Sequence, residues 1–167
     1  MIKGRAYKFG DNINTDIIYP GKYLSITTDR QEMAKHCFEF VYPQFVKEAR
    51  PGDIIVAGKN FGCGSSREQA ATCLKYFGMN LVIAESFARI FYRNAINLGL
   101  PILIAHGITK RIEHRDPLEV DLDMGIIKNM RTSENIKVLP LPPFILEIIK
   151  SGGLIPSLKK RLGLTNS

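Results

Sequence analysis

The run IIVAGKNFGCGSSREQAATCLKYFGMNLVIAESFARIFYRNAINLGLPILIA, residues 54–105, decides the fold. IIVAG, LVIAE and LPILIA are short apolar runs rich in β-branched residues and bounded by turn residues, the pattern of strands buried on both faces. Between the first two, SSREQAATCLKYFG is made of helix formers, opens on two serines and stops at Gly78. Between the second and third, SFARIFYRNAINLG places Phe87, Ile90, Phe91, Ala95 and Leu98 on one helical face and Arg89, Arg93 and Asn97 on another. Strand, helix, strand, helix, strand implies a parallel sheet with right-handed crossovers. Upstream, IKGRAYKFG (2–10) alternates like a strand, DNINTDIIYPGKYL (11–24) reads as a loop, and DRQEMAKHCFEF (29–40) as a short helix capped by Asp29. Downstream, LEVDLD, GIIKN and NIKVLP are short strands, and PPFILEIIKSGGLIPSLKKRLG is two helices split at Gly152-Gly153 with Pro143 near the first helical position. The expected class is α/β, with a partly parallel sheet, crossover helices and a small antiparallel annex, in one domain over residues 1–167.

Composition narrows the function classes. A chain of 167 residues that is 45% hydrophobic can bury a core without staples. No run approaches the roughly 18 apolar residues of a spanning helix, and the start lacks the apolar block of a signal peptide, so a cytoplasmic protein with no membrane association is expected. Cys37, Cys63 and Cys73 form no CxxC pair, which points to reduced thiols. The net charge of +7 is dispersed, with Lys159–Arg161 the one tight cluster, so it suits an acidic substrate or partner better than nucleic acid. His36, His106 and His114 lack metal-ligand spacing, and no metal site is expected.

Within the central run, GKNFGCGSSREQA (58–70) carries the chemistry. It lacks the Lys-Ser/Thr of a P-loop, and the third glycine of a dinucleotide fingerprint is replaced by Arg67. One reading is a helix cap: Ser65 or Ser66 as the N-cap, with Glu68 or Gln69 completing a capping box. That uses one serine and leaves Arg67 facing the positive end of the helix dipole. The other reading is a carboxylate site, in which backbone N–H groups and the Arg67 fork hold an acid beside a serine oxygen while Gly62 and Gly64 permit close approach. The residues alone leave both open.

Three blocks, 11–24, 51–70 and 86–101, resemble in order the small subunits of two-chain 3-isopropylmalate dehydratases, and equally those of homoaconitases, in the aconitase family. The resemblance implies a swivelling β/β/α domain that closes over a separate large subunit, in a heterodimer or heterotetramer. It further implies that the large subunit carries a [4Fe–4S] cluster on three cysteines with one iron open as a Lewis acid, and that this chain binds no cofactor itself; its own cysteines are far apart in sequence. Carried over by position, Ser65 is the base in alkoxide form, while Gly64, Ser66 and Arg67 bind a small di- or tricarboxylic acid. The loop SITTDR (25–30), through Ser25, Ile26 and Thr27, is expected to meet the substrate's variable group. Some homoaconitase-type chains place an arginine just after YL, where this chain has Ser25, so an apolar group is favoured and isopropylmalate is the expected substrate. Homocitrate-, citraconate/methylmalate- and dimethylmalate-type acids are the alternatives, and a stand-alone carboxylate-binding module is the rival class. Asp16 is read as an Asx turn, with orientation of the closing loop as the alternative. Arg89 and Arg93 share a helix face open to substrate, partner or water, and nothing requires Cys63 to react.

Overall fold

The computed structural model describes residues 1–164; residues 165–167, the end of the expected domain, lie outside the described residues. Strands β1 (Ile2–Lys8), β2 (Ile54–Ala57), β3 (Leu81–Ala84), β4 (Ile102–Ile104), β5 (Pro117–Asp121), β6 (Ile126–Asn129) and β7 (Glu134–Lys137) form one sheet in the order β4-β3-β2-β1-β5-β6-β7. β1 is the pivot. It pairs parallel with β2, Ala6 opposite Ile54, and antiparallel with β5, Lys3 opposite Glu119, so the expected annex is the other half of the same sheet. Every residue of β2 and β3 is buried, as parallel strands covered on both faces require. In β5 and β6 the buried residues alternate, Leu118 and Val120, then Ile127 and Asn129, because one face looks to solvent.

Helices α4 (Glu68–Phe77) and α5 (Arg89–Leu98) are the crossovers from β2 to β3 and from β3 to β4, and each stops at a glycine in the left-handed region, Gly78 and Gly99. α4 packs on α5 and on α2 (Arg30–Ala34), whose cap is Asp29 as expected, its side chain accepting from Glu32 N. α6 (Pro143–Lys150) and α7 (Leu154–Arg161) pack on α5. Phe9 stacks on Phe38 with 4.2 Å between centroids and Phe38 meets Phe45 edge-on at 4.8 Å, fastening α3 (Phe45–Glu48), which the sequence does not announce, beside the sheet. Among the described residues no helix is long and apolar enough to cross a membrane.

Four local expectations change. Residues 11–24 are not all loop: they hold α1 (Thr15–Ile18), capped by Asn14, and a 3-10 turn at Gly21–Tyr23. A single helical turn of Thr-Asp-Ile-Ile has little intrinsic propensity, and burial of Thr15 and Ile18 stabilises it. DRQEMAKHCFEF is helical only through Ala34. On α5 the buried face is Phe91, Ala95 and Ile96, and Ile90 is 44% exposed. Finally, neither Ser65 nor Ser66 caps α4. Arg67 stands at the N-cap with extended backbone angles and makes no capping bond. Gly64, at φ +99°, and a tight turn in which Arg67 N donates to Ser65 O carry both serines outside the helix. The capping-box reading is therefore overturned, and both hydroxyls remain available.

Candidate active-site turn

The carboxyl ends of β1 and β2 lead into two segments, 10–15 and 58–67, that run side by side. Asn12 N donates to Lys59 O (2.8 Å), Gly62 N to Ile13 O (2.7 Å) and Thr15 N to Cys63 O (2.8 Å). This ladder fixes the glycine-rich turn against α1. Gly62 is demanded twice over, since its φ is +81° and a Cβ there would lie 2.3 Å from Phe91 Cβ and Cγ. At Gly64 a Cβ would meet nothing closer than Thr15 Oγ1 at 3.5 Å, so there the positive φ alone favours glycine.

Two pairings organise the turn. The Ser65 and Thr15 hydroxyls are 3.3 Å apart, with Thr15 buried and Ser65 exposed. Arg67 Nη1 donates to Asp16 Oδ1 at 2.9 Å, and the same oxygen accepts from Gly21 N at 2.7 Å. The Gly21 N–H, and next the Arg67 guanidinium, hold the Asp16 carboxyl below its ordinary value. The bond to Asp16 occupies one of the five guanidinium donors, and the fork is partly exposed. Gly21 is packed against this pair: a Cβ there would stand 2.9 Å from both Arg67 Nη1 and Asp16 Oδ1.

The structure thus brings Gly64, Ser65, Ser66 and Arg67 together on an exposed turn and adds Thr15, Asp16 and Gly21. Asp16 makes no Asx turn; its partners are five and 51 residues away. The signal for it was Arg67 itself, a cation at a helix start that needs a carboxylate nearby. In the following loop Ser25 and Ile26 are exposed and Thr27 half-buried, and the backbone N–H groups of Ile26 and Thr27 both donate to Tyr23 O. Arg30 is engaged elsewhere. It donates to the Tyr76 hydroxyl at 2.6 Å with its guanidinium 5.1 Å from that ring, nine residues or about 13 Å along α4 from Arg67. Arg89 and Arg93 are exposed on the outer face of α5.

The cysteines do not form a cluster site. Cys37 and Cys73 are buried in the core beside each other, where burial, and next the neighbouring Cys37, raises the Cys73 thiol well above its ordinary value. Cys63 lies half-buried on the turn. Among the described residues no group of three or more His, Cys, Asp or Glu is placed to hold a metal ion. A groove of about 760 Å³ runs between α6 and α7, lined by Leu141, Leu146, Lys150 and Lys160 among others, and none of its lining residues comes from the turn.

Sheet topology and turn together define the class: residues 6–107 match the family described as Aconitase C-terminal domain, and the chain belongs to it. More narrowly, it falls among the small subunits of 3-isopropylmalate dehydratases. It is 55% identical over 158 residues to the 3-isopropylmalate dehydratase small subunit of Halothermothrix orenii, covering 95% of each chain. It is 53% identical over 162 residues to the isopropylmalate/citramalate isomerase small subunit of Methanocaldococcus jannaschii, covering 97% of this chain and 96% of that one. The crystal structure of a 3-isopropylmalate dehydratase from Methanocaldococcus jannaschii aligns with a TM-score of 0.92 at 51% identity, over 98% of this chain and 96% of the other.

Proposed function

We propose that this chain is the small subunit of a cytoplasmic two-chain hydro-lyase that isomerises 2-isopropylmalate to 3-isopropylmalate through isopropylmaleate, a step of leucine biosynthesis. It acts as one swivelling domain, and only when joined to a large subunit. The observation that carries this reading is the Ser65–Thr15 hydroxyl pair beside an Arg67 fork steadied by Asp16, all on an exposed turn. The [4Fe–4S] cluster is assigned to the large subunit, since Cys37 and Cys73 are buried in the core and Cys63 stands apart from them on the turn.

Dehydration requires removal of a weakly acidic proton from the carbon beside a carboxylate. Arg67, with the Ser66 hydroxyl, binds that carboxylate and holds the negative charge that develops on it. Ser65 Oγ, in its alkoxide form, takes the proton while the hydroxide on the adjacent carbon departs, a departure for which the cluster of the large subunit would supply the Lewis acid. The Thr15 hydroxyl, 3.3 Å away, is placed to donate to Ser65 Oγ and so to stabilise the alkoxide. Returning the proton and water with the opposite regiochemistry completes the isomerisation.

Substrate choice follows from the loop. With Arg30 held on Tyr76, residues 25–27 offer an exposed Ile26 and two hydroxyls but no cation for a further carboxylate. That composition suits an isopropyl group over the carboxylated arm of homocitrate. Citramalate, whose methyl is smaller, is a second candidate, because the name of the Methanocaldococcus jannaschii relative carries both acids.

The test is reconstitution. The chain is co-expressed anaerobically with the cluster-bearing large subunit of the same genome, and unsaturated-acid absorbance is followed with isopropylmalate, citramalate and homocitrate. Activity only in the mixture, highest on isopropylmalate, is expected. Ser65→Ala should assemble normally and lose about 10²–10⁴ in kcat. Retention of most of the wild-type kcat would remove Ser65 from the role of base.

A further inference from the structure

The recognition loop hangs from Tyr23. Ile26 N and Thr27 N donate to its carbonyl at 3.1 and 3.2 Å, so where Tyr23 stands decides where residues 24–27 stand. Tyr23 ends the 3-10 turn whose first residue, Gly21, is tied to Asp16 and packed against Arg67. One end of that turn is therefore fixed by the catalytic face.

The other end is fixed by a cluster outside the site. The Tyr23 hydroxyl donates to Glu39 Oε1 at 2.9 Å, its ring stacks on His36 at 3.8 Å, and Lys22 Nζ lies 3.7 Å from the same Glu39 oxygen. Glu39 Oε2 is buried without a hydrogen bond of standard geometry, and His36 Nδ1 faces it at 3.3 Å. Although burial raises the Glu39 carboxyl, the Tyr23 hydroxyl, Lys22 and His36 hold it below its ordinary value. The preceding residue, Phe38, is a bulky buried residue at φ +56°, a backbone conformation that persists only where the surroundings impose it. Its N–H donates to Ile18 O, which places Glu39 against the end of α1.

We infer that Glu39 is a positioning residue for substrate selection: by gathering Tyr23, Lys22 and His36 it sets the height of loop 24–27 above Arg67, and with it the room left for the substrate's apolar group. The inference rests on the proposed hydro-lyase reading. Glu39 touches neither Ser65 nor Arg67, so its loss acts on fit to the variable group and leaves the proton-transfer step in place.

The experiment compares Glu39→Ala and Glu39→Gln with wild type in the reconstituted complex, by kinetics on isopropylmalate and citramalate and by amide hydrogen exchange. Glu39→Ala should raise KM for isopropylmalate roughly tenfold, keep kcat within about twofold, and lower the isopropylmalate-to-citramalate ratio of kcat/KM, since the smaller methyl uses less of the loop. Exchange at Ile26 and Thr27 should quicken. Glu39→Gln, which can still accept from Tyr23, should fall between. An unchanged ratio with equal losses on both acids, or unchanged exchange at Ile26 and Thr27, would overturn the inference. If the wild-type complex turns over neither acid, the hydro-lyase reading fails on its own, and the clamp then stands or falls on the exchange at those two amides.

Discussion

Adding a single methyl at Gly21 tests whether the placement of Arg67 matters. The new Cβ would stand 2.9 Å from Arg67 Nη1 and Asp16 Oδ1 and 3.1 Å from Arg67 Nη2. Ordinary contact begins near 3.5 Å, so the guanidinium must retreat by about 0.5 Å. Both obstructing groups are the ends of flexible side chains, and Gly21 opens a 3-10 turn whose angles alanine tolerates. Folding stability should therefore change by less than about 1 kcal/mol, since lower unfolded-state entropy offsets the crowding. Catalysis should suffer more. A misplacement of about 1 Å can cost about 10²-fold, so half of that predicts roughly a tenfold loss in kcat/KM, or about 1.4 kcal/mol of transition-state stabilisation. The assay pairs isopropylmalate kinetics of the reconstituted complex with thermal melting of the chain. Wild-type kcat/KM with an unchanged melting temperature would refute the role given to the Arg67 position. A stability loss of several kcal/mol would refute the claim that the site yields where the core does not.

Gly62→Ala makes the opposite case: at φ +81° and with Phe91 carbons 2.3 Å from the new Cβ, it should cost about 3 kcal/mol, read as a lowered midpoint in urea. Asp16→Asn keeps the shape and removes the charge that steadies Arg67, so KM should rise about tenfold, a loss that kinetics at saturating substrate would partly recover. Asp116 is buried and, chiefly through Arg131, against the opposing effect of burial, has its carboxyl lowered from 3.8 to about 2. A depressed carboxylate contributes stability that is fully present above its unfolded value and lost as pH falls from about 4 through 2. That contribution is about 2 kcal/mol, and Asp116→Asn should flatten this window in melts taken at stepped pH.

Much of the fold was legible because its determinants are local. β2, β3 and β4 are continuous apolar runs, and α4 and α5 end at glycines that accept left-handed angles. The misreadings arise where a single backbone angle or a tertiary contact overrides the local pattern. The two serines, with Glu68 and Gln69, satisfy a capping pattern on paper, yet the positive φ of Gly64 redirects the chain before the helix begins. Ile90 fits the apolar spacing of α5, yet its neighbours leave it at the surface. α1 was invisible because four residues with weak helix propensity hold their turn through the Asn14 cap and burial against the core.

By itself, then, the sequence determined the alternation of strands and helices, the position of the glycine-rich turn and the family to which its motifs belong. These depend on periodicity, on backbone freedom at particular glycines and on the order of residues along the chain. Only the tertiary structure decided that β1 joins the parallel and antiparallel halves, that Asp16 and Thr15 meet Arg67 and Ser65 across about 50 residues of chain, and that Arg30 is held by Tyr76. The Thr15–Ser65 and Asp16–Arg67 pairings arise where the ends of the neighbouring strands β1 and β2 bring distant segments side by side, and the Arg30–Tyr76 pairing where α2 packs on α4. No periodicity records such contacts: the misplaced charge of Arg67 signals that a carboxylate is needed, but only the fold says that Asp16 supplies it.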